Sequence, residues 1–256
     1  MLNIFSLFKS KPKAQQQILF FCGAGISQES GLQTFRDSHG LWSQHDINTI
    51  CNLKTVKDNR KEVFSFYNQR KIEILNALPN QAHYALAEIQ KKYGINNVHI
   101  FTSNIDNLLE KAGCKNVCYI HENIFGMTCL ECNHHWDIGN KMYDIHEKCP
   151  ICQHHNTKPS IIFFHESAPK YKILREFFEK SGPVINKKII PNIKVIVGTS
   201  FKVIKPDIFK IERSRSILVD SKEIHLGGFE QKIIAPATEG LLKAHHLIEH
   251  WYHHNN

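Results

Sequence analysis

The sequence predicts an α/β fold: a doubly wound parallel sheet with a small inserted metal-binding module and a helical module. Three observations lead there. Short, nearly continuous apolar runs rich in β-branched and aromatic residues recur along the chain. Helical patterns lie between them. In one stretch that alternation stops, and cysteines and histidines crowd together.

The runs are ILFFC (18–22), VHIFT (98–102), VCYI (117–120), SIIFF (160–164), VIVG (195–198) and SILV (216–219). Continuous apolarity, without alternation, is what strands buried on both faces of a parallel sheet require. Between them, residues 63–78 place Phe64, Tyr67, Ile72 and Leu75 at helical spacing. Residues 83–94 form a second helical pattern that ends in a glycine C-cap, and HHLIEHWYHH (245–254) closes the chain as an amphipathic helix. No internal repeat is present. The composition changes between Met127 and Lys158. This divides the chain into a tail (1–13), a Rossmann-like sheet domain (14–48, 80–122 and 158–254), a helical module (49–79) and a zinc-binding module (123–157).

The chain has 256 residues, 42% of them hydrophobic, enough for one sizeable core and a smaller module. Its net charge is +8, but Lys and Arg are scattered. A nucleic-acid groove needs a clustered basic stripe, so nucleic acid is not the expected partner, whereas acidic ligands such as a dinucleotide's phosphates suit the balance. The opening apolar patch (Leu2, Ile4, Phe5, Leu7, Phe8) runs into lysines, and no run approaches the ~18 apolar residues of a membrane span. The expected setting is cytoplasmic, with no membrane partner. Eight cysteines in a reducing compartment read as metal ligands before disulfides. Oligomeric state is not set by the sequence.

Cys129-Leu-Glu-Cys132 and Cys149-Pro-Ile-Cys152 form two knuckles separated by 16 residues. Paired knuckles at this spacing grip one tetrahedral Zn²⁺ at ~2.3 Å per thiolate. Four thiolates leave no open coordination position, so the metal is structural. His134, His135, His146, His154 and His155 are read as solvated, and Cys22, Cys51, Cys114 and Cys118 as ordinary buried residues.

FFCGAGISQES (20–30) starts like a dinucleotide site: strand, Gly-Ala-Gly, helix start. Glycines let a phosphate approach the backbone, and a helix N-terminus favours its charge. Yet Gln28 stands where the G-x-G-x-x-G fingerprint has its third glycine. No acidic ribose ligand follows at a strand end ~20 residues on; Asp37 and Asp46 lie in loop-like sequence. Alone, the stretch is either a nucleotide loop or a structural turn.

The order of motifs is more specific. GAGISQESGLQTFRD…GLW (23–42), TSNIDNL (102–108), His121, the paired knuckles, KPSIIFFHE (158–166), GTSFKVIKP (198–206) and APA (235–237) together resemble a sirtuin, over roughly residues 17–242. The resemblance implies an NAD-dependent protein deacylase with NAD as co-substrate, one structural Zn²⁺, and acylated protein lysines as substrate. By position it implies a phosphate loop of Gly23, Ala24, Gly25 and Ser27 and a nicotinamide-enclosing loop of Thr34, Phe35 and Arg36. Ser103, Asn104, Ile105 and Asp106 fall at the nicotinamide-ribose end. Gly198, Thr199 and Ser200 face the adenosine, which Asp220 and Ala237 also contact. His121 is the implied base, acting with Asn104 and Asp106, and Phe164, His165 and Glu166 bind the peptide. The resemblance is strongest to the bacterial, desuccinylase-like type, in which a Tyr-x-x-Arg pair, here Tyr67 and Arg70, receives the carboxylate of a succinyl or malonyl group. The implied products are free lysine, nicotinamide and O-acyl-ADP-ribose.

Three positions depart from the family pattern: Ser103 replaces a glutamine, while Glu122 and His165 replace glycines. Glu122 adjoins the base, where a carboxylate is expected to favour the imidazolium. His165 does not freely adopt glycine's backbone angles. Two further readings use the same NAD residues: an NAD hydrolase or ADP-ribosyltransferase, and a non-catalytic NAD- or ADP-ribose-binding module.

Overall fold

The structure, a computed structural model, describes residues 16–34, 46–178, 192–209, 211 and 215–254. The tail (1–13) lies outside the described residues. Six parallel strands form the main sheet: β1 (Ile18–Cys22), β2 (Val98–Thr102), β3 (Val117–Tyr119), β7 (Ile193–Val197), β8 (Arg215–Asp220) and β9 (Gln231–Ile234). Their order is β3-β2-β1-β7-β8-β9, so the direction of winding reverses between β1 and β7.

β1 is buried along its whole length, and its side chains serve two cores. Ile18, Phe20 and Cys22 pack beneath α3 (Gln81–Tyr93) and α6 (Ala237–His254). Leu19 and Phe21 pack with Leu174 of α5 (Lys170–Phe178) and with Phe209 on the other face. That double burial is why the run is apolar without alternation. Asn80 caps α3 by accepting the Ala82 N–H at 2.9 Å, and Gly94 ends it at φ +96. Glu29 caps α6, accepting the Thr238 N–H at 3.0 Å.

A third core joins α1 (Ile47–Ile50) and α2 (Arg60–Asn76) to a three-stranded antiparallel sheet of β4 (Gly126–Cys129), β5 (His135–Asp137) and β6 (Thr157–Pro159), in the order β5-β4-β6. The short helix α4 (Leu108–Lys111) follows β2. No helix among the described residues is long and apolar enough to cross a membrane.

Two expectations are corrected. Residues 160–164 do not form a strand of the main sheet. Among the described residues, their only ladder contact is a single bridge between Phe164 and Asn52, because Ile161 and Phe163 are consumed in the third core. On α2, Ile72 faces solvent while Arg70 and Lys71 are buried. The Lys71 ammonium finds the Lys141 carbonyl at 2.5 Å and the Tyr143 ring at 4.9 Å, which compensates its burial.

Candidate active site

The carboxyl ends of β1, β2, β7 and β8 open on one cavity of about 1010 Å³, at the point where the strand order reverses, as expected for ligand sites of open α/β sheets. Gly23, Ala24, Gly25 and Thr34 line the cavity, as do Gly198, Thr199, Ser200, Asp220 and Ala237. Ser103, Asn104, Ile105 and His121 form one end, with Tyr67, Phe164, His165 and Glu166 beside them. Phe35 and Arg36 lie outside the described residues.

The glycines are demanded by close packing of two loops. A Cβ on Gly25 would lie 2.6 Å from Gly198 Cα, and Gly198 itself has φ +61. The β1 and β7 loops therefore meet backbone to backbone at the floor of the cleft.

Ser27 and Asp106 lie beneath this floor and do not line the cavity. The Ser27 hydroxyl donates to Asp106 Oδ2 at 3.0 Å and accepts from Asn104 Nδ2 at 3.2 Å. His83 Nδ1 accepts the Asn80 N–H at 3.2 Å. Nδ1 also lies 3.0 Å from Asn80 Oδ1, and Nε2 faces Ser27 Oγ at 3.4 Å. Burial lowers the His83 pKa to about 4, so the ring is neutral. Burial holds the Asp106 carboxyl above the usual range, against the opposing pull of the Leu108 N–H, the Ser27 hydroxyl and the Arg70 charge. The motif Asn104-Ile105-Asp106 is thus locked by a buried network that includes a histidine missed from the sequence. Its only signal was the capping position three residues after Asn80.

His121 is held at both ring nitrogens. Nδ1 lies 3.1 Å from the Ser103 carbonyl, and Nε2 lies 2.7 Å from the Tyr171 hydroxyl. Burial pushes its pKa down, partly offset by the Ser103 hydrogen bond. This overturns the expected influence of Glu122. That carboxylate is paired with Lys170 at 2.8 Å, and the ring is set neutral by its burial.

Glu122 and His165 both take left-handed backbone angles, φ +58 and φ +67. His165 is exposed, so its strain is not tied to a buried contact. His165→Gly is expected to raise stability by roughly 0.5–1 kcal/mol, read as an increase of about 2 °C in Tm. A lower Tm would mean that the imidazole contributes binding that outweighs the strain. Glu166 lines the cavity and is also held within the fold. It accepts the Phe163 N–H at 2.8 Å and pairs with buried Lys158 at 3.0 Å. Both backbone groups of Phe164 are also engaged, its N–H on Cys51 and its carbonyl on Leu53.

Tyr67 is in the cavity wall, stacked on Phe163 with centroids 5.7 Å apart. Arg70 is not. It is buried, paired with Glu73, and 3.5 Å from the Gln33 carbonyl.

The sulfurs of Cys129, Cys132, Cys149 and Cys152 all lie within 4.8 Å of one another, and among the described residues no histidine joins them. Cys129–Cys152 and Cys132–Cys149 sulfur distances are 3.5 and 3.6 Å, near the edge of about 3.8 Å that a tetrahedron of ~2.3 Å bonds requires. The knuckles are built alike. Cys129 and Cys149 each donate a backbone N–H to the carbonyl five residues on, at 2.9 Å. Asn133 and Gln153, following the second cysteines, both take positive φ. The donor set fits Zn²⁺.

A family model described as the Sir2 family matches residues 23–205. An NAD-dependent protein deacylase of Campylobacter jejuni is 33% identical over 219 residues, covering 85% of this chain and 89% of that protein. One of Helicobacter hepaticus is 37% identical over 203 residues, covering 73% and 76%. Among solved structures, a complex of a Sir2 homologue with NAD aligns with TM-score 0.76 at 25% identity, over 93% of this chain and 91% of that one. A mutant Sir2 homologue bound to ADP-ribose aligns with TM-score 0.78 at 25% identity, over 94% and 96%. With loops, cavity, buried network and cysteine cluster assembled on this sheet, the chain belongs to the Sir2 family, whose members catalyse NAD-dependent lysine deacylation.

Proposed function

We propose that NAD lies along the Gly23–Ala24–Gly25 and Gly198–Thr199–Ser200 loops, and that an acylated lysine enters beside Phe164 and His165 to meet it at His121. When bound, NAD supplies an electrophilic ribose carbon with nicotinamide as its leaving group. This chain's residues do the rest. Asn104, held by Ser27, orients the nicotinamide-ribose end; Asp220 and Ala237 hold the adenosine end. His121 is the base that drives deprotonation of a ribose hydroxyl, for which a neutral imidazole is suited. The convergence of four strand ends on one cavity, with a neutral histidine at one end, carries this reading.

Within it, the favoured acyl groups are those ending in a carboxylate, succinyl and malonyl, alongside acetyl. Tyr67 faces the cavity, and Arg70 lies one turn further on the same helix. The Arg70 Nε has no hydrogen-bond partner among the described residues, and its partner Glu73 is 35% exposed. Glu73 can therefore swing into water while an acyl carboxylate takes its place on the guanidinium. The test compares kcat/KM for succinyl- and acetyl-lysine peptides in wild type and Arg70→Met. The succinyl value is expected to fall by about 30-fold or more, with the acetyl value within threefold. An equal fall in both would assign Arg70 to the fold alone.

A further inference from the structure

His121 is not alone at its end of the cavity. Tyr171, on the first turn of α5, sets its hydroxyl 2.7 Å from Nε2 of His121, with ring centroids 5.6 Å apart. The preceding residue, Lys170, holds Glu122 at 2.8 Å. Two consecutive residues of α5 thus grip the consecutive pair His121 and Glu122, and Tyr171 lines the same cavity as His121.

The protons at this contact can be assigned. The Ser103 carbonyl only accepts, so Nδ1 of His121 carries the ring proton and Nε2 presents a lone pair. Burial keeps the imidazole below its usual pKa of 6.5 and pushes the Tyr171 phenol up to about 12. Near neutral pH both groups are uncharged, with the phenol donating and the imidazole accepting. The charges around them are paired. Glu122 of the His121 loop meets Lys170 of α5. Glu166 meets Lys158, on the segment whose Ile162 N–H binds the His121 carbonyl at 3.0 Å. Asp106, beyond Asn104, accepts from Ser27 and Leu108. The single lone pair of the base is therefore already occupied by the phenol.

We propose that Tyr171 is part of the base: a ribose hydroxyl gives its proton to the Tyr171 oxygen as Tyr171 passes its own to Nε2 of His121. On the sugar one O–H bond breaks, and on the phenol one forms. The former phenol O–H breaks, and an N–H forms on the imidazole. Tyr171 ends neutral and His121 ends as imidazolium, while the sugar oxygen keeps the electron pair with which it attacks the acyl carbon. No phenolate is formed, so a raised phenol pKa is no obstacle. The relay rests on the deacylase reading above.

Tyr171→Phe keeps the ring and removes the hydroxyl. Three readouts are needed: acyl-peptide-dependent exchange of labelled nicotinamide into NAD, which uses only steps before the base; the deacylation rate; and the His121 titration followed by NMR in ligand-free protein. The relay predicts exchange within threefold of wild type, showing an intact fold. It predicts deacylation lower by about 30-fold or more, and a His121 pKa raised by half a unit or more, because the lost hydrogen bond favoured the neutral ring. Deacylation at or above the wild-type rate would overturn it, leaving Tyr171 as a cover that substrate displaces. An unmoved titration would also overturn it, since the hydroxyl would then not touch the base in solution. Wild-type protein that neither exchanges nor deacylates would defeat the deacylase reading itself. Normal wild-type activity with an unimpaired Tyr171→Phe would defeat the relay alone.

Discussion

His121→Ala is expected to lower acyl-peptide-dependent turnover by about 10³-fold while leaving NAD affinity within about threefold, because the ring lies at one end of the cavity and carries no part of the fold's core. Initial rates and calorimetric NAD binding on the same preparations check this. The pH profile carries a sign. Burial depresses the His121 pKa below 6.5, and in the proposed mechanism the neutral ring is the active form. Activity is therefore held above that folded pKa and lost as pH falls through it, so the acid limb lies below pH 6.5. A limb above 6.5 would mean that the Glu122 charge governs the ring, contrary to its pairing with Lys170.

Removing the metal is expected to be more damaging than any single change in the cavity. β4, β5 and β6 have three or four residues each, too little to fold without the ion that joins Cys129 and Cys132 to Cys149 and Cys152. Structural zinc contributes on the order of 10 kcal/mol to such modules. The loss would spread, because Met127, Ile138 and Tyr143 share a core with Phe64 and Tyr67 of α2, and Tyr67 is a wall of the cavity. Cys149→Ser, or chelation at neutral pH, should release about one equivalent of zinc, abolish turnover and lower Tm by more than ~10 °C. Metal analysis and calorimetry read this directly. Full activity in metal-free protein would show that the module is independent of the site.

The central strands were legible because each is buried on both faces and so must be apolar throughout. β9 was not: it is an edge strand, and Gln231, Lys232 and Ile234 face solvent. The run 160–164 looked like a strand because its apolar residues serve a core without a ladder. Ile72 was placed on the wrong face because Arg70 and Lys71 turn inward to partners that a helical pattern cannot reveal. The site was legible as an order of motifs. Its local chemistry was legible only where partners are close in sequence. The Glu122–Lys170 pair spans 48 residues, the His121–Tyr171 contact 50 and the Ser27–His83 contact 56. Each joins loops that only the folded sheet brings together, which is why a carboxylate beside the base was read as a lone charge.

The most direct test of the account is a mass-spectrometric time course of the protein with NAD and acetyl-, succinyl- and malonyl-lysine peptides, run beside a control without peptide. The account predicts nicotinamide release that depends on acyl peptide, with one O-acyl-ADP-ribose formed for each lysine freed. Nicotinamide released at the same rate without peptide would contradict it and make the protein an NAD hydrolase on a Sir2 scaffold.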